Sequence, residues 1–296
     1  MSSFIISEAL DLLSKTDIPF RFSGNEKVII KCANSIDSLS KNALSFFRRN
    51  DVDSYRKNFN QTNLVVLKPE ADINLPPGNF IFVENPSLVF NIIGILLKEK
   101  AKVTIDPTAN IHDKSIIGKS TSVGAYCSIG SNVKIGDNCI IMDTCTINNA
   151  DIGNNTIIHS GTRIGNPGLG SYLDKKGKYH DFPHFGKVII GNRVVIQDNT
   201  VINQGTLNNT IIEEDTRIGP LTCIGHGVRI GKSCFVSQSV TIAGSVAIGN
   251  FVKIWGNASI RDGILVGNGS TIGMGAVVVK NIPENESWVG NPAKKM

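Results

Sequence analysis

Five imidazoles carry the chain's capacity for proton transfer near neutral pH: His112, His159, His180, His184 and His226. Histidine is the side chain whose charge ordinarily changes in that range, so it can take a proton from an attacking amine or hydroxyl and pass it on. His226 stands apart because glycine flanks it on both sides, in Gly225-His226-Gly227. His159 follows Ile158 without a preceding glycine, a setting that suits hydrogen bonding or an interface. His180 and His184 share a segment rich in glycine, aromatic and charged residues, where they can touch a substrate or only anchor a loop. His112 reads as structural. Six cysteines (Cys32, Cys127, Cys139, Cys145, Cys223 and Cys234) show neither a CxxC pair nor zinc-finger spacing. Most lie in apolar-periodic segments, where a free thiol behaves as a small buried hydrophobe. No metal site is expected.

The elements that must position these groups are written in a repeat. Aliphatic residues recur every sixth position from Ile105 to Ile147, then from Ile152 to Ile164 and from Ile190 to Ile202. The last and longest run is Ile212, Ile218, Ile224, Ile230, Val236, Ile242, Ile248, Ile254, Ile260, Val266, Ile272 and Val278. A period of six is neither helical nor a simple strand alternation. It fits a short strand and a turn, repeated, with one β-branched side chain per unit pointing inward. Glycine often follows the aliphatic residue, as at Gly118, Gly136 and Gly231, which calls for positive φ or for close approach of another backbone. Three hexads close one triangular coil, so the pattern predicts a parallel β-helix of eight to nine coils, roughly 4.8 Å apart.

That stacking places the chemistry. His226 falls at a turn, two residues after an inward isoleucine, so its ring should point out. One coil further, eighteen residues on, stands Gly244, whose N–H no side chain would screen. The two make a candidate base and a candidate oxyanion donor. Alternatively His226 caps a turn at a subunit interface. Two interruptions break the repeat: a loop excursion over residues 165–189, and a bulge at residues 206–209.

Composition is consistent with this. Of 296 residues, 41% are hydrophobic, 19% charged and only 6% aromatic, with 29 glycines and a mean hydropathy of +0.03. That describes a globular chain built from small aliphatic residues. The net charge of +5 comes without a long basic run. Arg48-Arg49 and Lys294-Lys295 read as solvated surface, so no nucleic-acid partner is expected. The longest apolar stretch, residues 90–97, is too short to cross a bilayer. No leader pattern opens the chain, so a cytoplasmic location is expected.

Residues 1–103 lack the repeat and read as a small α/β domain, with the β-helix over 104–296. Residues 5–13 suggest an amphipathic helix, and residues 64–67 and 80–83 suggest strands. Residues 86–98 suggest a helix capped by Asn85.

Several motifs now add up to a likeness. Leu44-Ser45-Phe46, Tyr55, Val65-Val66 and Glu84-Asn85-Pro86 resemble the uridine-binding domain of the UDP-3-O-acylglucosamine N-acyltransferase family. In the repeat, residues 165–172 (GNPGLGSY), 186–191 (GKVIIG), 202–212 (INQGTLNNTII) and Ile224-Gly225-His226 continue it. The resemblance spans nearly the whole chain. It implies a left-handed β-helix of the hexapeptide-repeat acyltransferase superfamily and a homotrimer. It also implies acyl transfer from a thioester to a nucleotide-linked amino sugar, in lipopolysaccharide or other surface-glycan synthesis, with no permanently bound cofactor. By the same resemblance His226 is the general base and Gly244 the oxyanion donor. Phe46 and Tyr55 would stack on a uracil-like base whose edge Asn50 reads, unless they are ordinary core aromatics. His159, His180 and His184 complete the substrate-side candidates.

Departures shape the reading. Asn203-Gln204-Gly205 replaces the family's Asp-Arg-Gly, Asn208-Asn209 its paired aspartates, and Gly263 stands where a second histidine is expected. Residues 289–294 (VGNPAK) resemble instead the tail of coenzyme A-dependent hexapeptide acetyltransferases. The expectation is thus N-acylation in preference to O-acylation, with acetyl-CoA favoured as donor over longer acyl groups or acyl carrier protein. Asn257, Ser259, Arg261, Asn291 and Lys294 would line the donor groove. The alternatives are the lipid A N-acyltransferase itself, using acyl carrier protein, and a non-catalytic trimeric scaffold. A γ-type carbonic anhydrase resembles residues 196–198 and 225–227. Its zinc needs three histidines, and the other two positions hold Asn203 and Gly231.

Overall fold

The computed structural model describes residues 2–48, 53–72, 75–99 and 103–296. The chain divides into two compact units, Met1–Ala101 and Lys102–Met296.

The first unit is a five-stranded sheet in the order Arg21–Ser23, Asn79–Phe82, Leu64–Leu67, Ala43–Phe46, Cys32–Ala33, with only the first strand antiparallel. Alternation along the strands splits its core in two. Leu44, Leu64, Val66 and Ile81 pack on one side with helices α1 (Ile6–Ser14) and α2 (Pro86–Gly94). Val65, Leu67, Phe80 and Phe82 pack on the other with Phe47 and Phe59. Burial on both faces is why the central strand Leu64–Leu67 is apolar throughout. The Asn85 side chain caps α2 by accepting from Leu88 N–H at 3.1 Å. The helix ends sooner than its apolar pattern suggests, at Gly94, and a single 3₁₀ turn (Ile95–Leu97) follows.

The second unit is a left-handed parallel β-helix. Among the described residues its strands of two to four residues stack into sheets of ten, nine and eight, the ten including an antiparallel strand at the chain's end. Partners along the long final run are eighteen residues apart, as with Ile224↔Ile242 and Ile242↔Ile260. The inward aliphatics form one continuous core. From Val123 onward the residue two places before each aliphatic is also buried. There Thr216 donates its hydroxyl to Gly231 O at 2.9 Å and accepts from Cys234 N–H at 3.1 Å. Such bonds satisfy backbone groups that the tight corners leave over. Cys127, Cys139, Cys145 and Cys234 occupy the same interior hexad position, on two faces, whereas Cys223 faces outward and is exposed. Burial pushes the thiols of Cys139 and Cys234 up.

Of the two roles open to the glycine after an inward aliphatic, close approach is the general one, joined by positive φ at Gly165. A Cβ at Gly118 would fall 2.4 Å from the Gly136 backbone one coil on. The left-handed residue comes two places later, where Ser, Asn or Gly turns the corner, as at Ser120, Asn257 and Gly227.

Candidate active site

The corner that follows the nine-stranded face carries His226. Strand Cys223–Ile224 buries Ile224 and releases the chain into Gly225-His226-Gly227. Gly225 is required by the next coil, since a Cβ there would lie 2.8 Å from Gly244 N. Gly227 takes φ +68° and donates its N–H to Thr210 Oγ1 at 2.9 Å. Held on both sides, the half-buried imidazole lies across Gly244. A Cβ at Gly244 would meet its Cε1 at 2.6 Å and its Nε2 at 2.7 Å.

At the hexad position of Gly244 the backbone N–H is bonded in some coils and, among the described residues, open in others, as at Gln238, Gly256 and Asp262. The equivalent N–H groups of Lys119, Ala125, Asp137, Asn154, Lys232 and Asn250 each donate to an Asp or Asn oxygen one coil further on, at 2.7–2.8 Å. Gly244 N–H has no such acceptor among the described residues. A donor beside an imidazole and left open by the fold can receive a developing oxyanion.

Both interruptions of the repeat return to this corner. The bulge brings Thr206 Oγ1 to 3.4 Å from His226 Nδ1. The excursion leaves after Asn166, passes Gly168 over the ring, and returns with His184. The rings of His184 and His226 meet edge to face, with centroids 5.8 Å apart. His184 Nδ1 donates to Phe182 O at 2.9 Å, and its Nε2 is buried without a partner among the described residues. Gln204 Nε2 donates to His184 O at 3.3 Å, tying bulge to excursion. Between the two limbs a hairpin, Ser171–Leu173 with Tyr179–Asp181, pairs with itself.

The other candidates scatter. His180 sits on that hairpin, half exposed, with Nε2 2.8 Å from Asp174 Oδ2. The His180 bond, with the N–H groups of Lys178 and Lys176, holds the Asp174 carboxyl below its usual range. His159 lies at a different corner, 3.7 Å from Asp198 Oδ2. Ser259 shares the outer column of the nine-stranded face with Cys223 and Thr241. Arg261 opens the corner one coil beyond Gly244 and is exposed. Asn257 turns the opposite edge of that face with φ +61°. Asn291 lies beside Val277 at the end of the same face, between Gly290 and Ala293, which exchange backbone bonds with Val277. Lys294 belongs to the ten-stranded sheet, paired with Val289.

The proposed base-stacking pair is not assembled. Phe46 packs on the helix side against Phe90, centroids 4.5 Å apart, with the Arg48 guanidinium 5.4 Å above its ring. Tyr55 packs on the opposite side against Phe47 at 5.0 Å. The parity of strand Ala43–Phe46 sends the two aromatics into separate cores. Asn50 lies outside the described residues. Residues that the sequence did not single out, Thr206 and Gly168, do reach His226. The ten-residue spacing from Ile202 to Ile212 was the signal for the first.

Zinc chemistry finds no ligand set here. Asn203 Nδ2 donates to Pro167 O at 2.9 Å, and Gly231 lies at another corner. Among the described residues no three His, Cys, Asp or Glu side chains converge. Nor is any described helix long and apolar enough to cross a membrane.

Comparison with known proteins follows the same lines. A family model described as the GMPPB C-terminal domain matches residues 100–208, and the bacterial transferase hexapeptide model (six repeats) matches residues 209–244. No curated protein sequence gives a match. Among solved structures, the UDP-N-acetylglucosamine acyltransferase of Francisella novicida is 29% identical with a TM-score of 0.59, covering 65% of this chain and 69% of its own. LpxA from Acinetobacter baumannii is 26% identical with a TM-score of 0.58, covering 65% and 73%. The UDP-N-acetylglucosamine acyltransferase of Campylobacter jejuni, 24% identical with a TM-score of 0.59 over 65% and 74%, shares the fold.

Proposed function

We propose that the protein is an acyltransferase that moves an acyl group from a thioester to the amine of a nucleotide-linked amino sugar. The observation that carries this reading is the His226 imidazole lying across Gly244, whose backbone N–H has no acceptor among the described residues. The similar solved structures named for UDP-N-acetylglucosamine acyltransferase activity support acyl transfer to a nucleotide sugar.

The chemistry runs as follows. The amine attacks the thioester carbonyl carbon, and a C–N bond forms. His226 takes a proton from the nitrogen, and the carbonyl oxygen, now an oxyanion, accepts a bond from Gly244 N–H. Collapse breaks the C–S bond, and the thiolate leaves with the proton that His226 held. The products are an amide and a free thiol. Thr206 Oγ1, at 3.4 Å from Nδ1, orients the ring.

Coenzyme A thioesters, acetyl-CoA first, are the donors in this reading. Ser259, Arg261 and Asn291, on or beside one face beyond Gly244, form the donor side, with Asn257 at its far edge and Lys294 free to meet a phosphate. The protein works as a cytoplasmic homotrimer serving surface-glycan synthesis. Stacking on a uracil base rests on Phe46 in this reading, since Tyr55 faces the other core, with Asn50 reading the base edge.

Incubating the purified chain with UDP-amino sugars and either acetyl-CoA or acyl carrier protein thioesters, with products read by mass spectrometry, tests the proposal. An alkali-stable acylated sugar nucleotide is the expected product. An alkali-labile one assigns O-acylation instead. No product, together with no thermal shift on adding coenzyme A or UDP-sugars, favours the scaffold reading.

A further inference from the structure

The corner that carries His226 also carries a cavity, on the four coils that precede it. Its volume is about 320 Å³, at the lower end of the usual ligand-site range of roughly 300–1,000 Å³. Ser131, Asn132, Asn148, Asn149, Asn166 and Gln204 supply its polar lining, and among the described residues no charged side chain borders it. These residues follow successive strands of one face, Ser128–Ile129, Thr146–Ile147, Arg163–Asn166 and Val201–Asn203. The next strand of that face delivers His226.

The amides are bonded to one another. Asn132 Nδ2 donates to Asn149 Oδ1 at 3.3 Å, and Asn149 Nδ2 donates to Gln204 Oε1 at 2.7 Å. Gln204 Nε2 then reaches the His184 carbonyl. Beside them Asn148 Nδ2 donates to Asn166 Oδ1 at 3.1 Å. Each amide has two donors and two acceptor lone pairs, so a ladder of this kind fixes their orientation and leaves capacity facing the cavity.

We infer that this cavity is a subsite for an uncharged pyranose ring of the acceptor, whose hydroxyl and acetamido groups it binds through the amide ladder. A hydroxyl or acetamido group both donates and accepts, as the lining does. A phosphate or carboxylate would call for cationic donors, and the lining has none. The coils beyond Gly244 differ, carrying Arg261 and Asp262 at the same corner. Coil spacing of about 4.8 Å is comparable to the width of one sugar ring. A reacting group held at His226 therefore puts the adjoining ring beside Gln204. The acceptor extends toward the earlier coils, and the donor lies on the later ones. The identity of the ring as the acceptor's rests on the acyl-transfer reading.

Saturation-transfer NMR on the full chain with methyl β-N-acetylglucosaminide reads this subsite directly, without any acyl transfer. Binding is expected, and inorganic diphosphate should not displace the glycoside. Ser131→Phe should fill the cavity without altering the ladder and abolish the signal. Asn132→Leu, at an exposed position, should weaken binding by about tenfold through loss of polar contacts. No binding, displacement by diphosphate, or unchanged binding in both variants overturns the inference. If acyl transfer is found but Ser131→Phe leaves the acceptor KM unchanged, the subsite fails and the enzyme reading stands. If no thioester is consumed yet glycoside binding persists and Ser131→Phe removes it, the subsite stands and the enzyme reading fails.

Discussion

At the scale of single residues, the site depends on where side chains are missing. Gly225 lets one coil pass over another, and Gly244 lets a ring lie flat on the backbone. Gly244→Ala therefore puts a methyl group where His226 Cε1 and Nε2 now sit. The ring must turn away and the N–H loses its exposure, so kcat should fall by about 10²–10³, as when an oxyanion donor is lost. A steady-state assay checks this, and unchanged kcat would remove Gly244 from the mechanism. His226 and Gly244 were legible because the period fixes which residues stack and which turn outward. Phe46 and Tyr55 were not, because their meeting depends on strand parity and on the packing of residues 53–58, which no spacing rule encodes. Neither the contact of Thr206 with His226 nor that of Gly168 could be read from one sequence. Both come from insertions, whose return path the repeat does not determine.

At the scale of elements, each coil is a three-strand turn, and in several coils interior hydroxyls or thiols meet leftover backbone groups. Thr216 serves two such groups, Gly231 O and Cys234 N–H. Thr216→Val keeps the shape and strands both, so stability should fall by about 1–3 kcal/mol. Chemical denaturation measures it, and a loss well under that range would mean the coil relaxes to find other partners. The excursion's hairpin makes a contrasting element. Its neck closes through Phe182 N–H to Gly170 O at 2.8 Å, and its strands pair only with each other. Deleting residues 171–181 should then leave the thermal midpoint of the β-helix within a few degrees, as a scan would show. The period forecast the excursion's limits but not the hairpin inside it, because two short polar strands lack a buried face to pattern them. The sixfold pattern likewise located the coils while leaving open why glycine recurs. Coordinates were needed to show that close approach, more than positive φ, is the reason.

At the scale of the molecule, the surface carries one ionic network that ties coils together. Arg193 grips Asp215 at 2.6–2.7 Å through two nitrogens and also reaches Glu214 at 3.1 Å, while Lys232 holds Glu214 at 2.9 Å. Lys232 first, then Arg193, holds the Glu214 carboxyl below its ordinary 4.5, and Arg193 holds Asp215 below 3.8. Carboxyls depressed in the folded state contribute stability above their unfolded values and lose it as pH falls through the folded ones. The network's contribution should therefore be complete at neutral pH and fade below about pH 4.5. Denaturation midpoints measured from pH 7 down to 3 should decline, and Glu214→Gln should flatten part of that decline. Equal slopes for the two proteins would show that the network is only decorative. The β-helix as a whole was readable from twelve equally spaced aliphatics, whereas the small N-terminal unit was only sketched. Its sheet order depends on contacts distant in sequence.

The central claim is that one imidazole, His226, takes the proton in an acyl transfer, and the most direct measurement is the turnover of His226→Ala with the best donor and acceptor pair. A loss of about 10²–10⁴-fold in kcat is expected, with the thermal midpoint and acceptor binding retained. Turnover equal to that of the unaltered protein would contradict it.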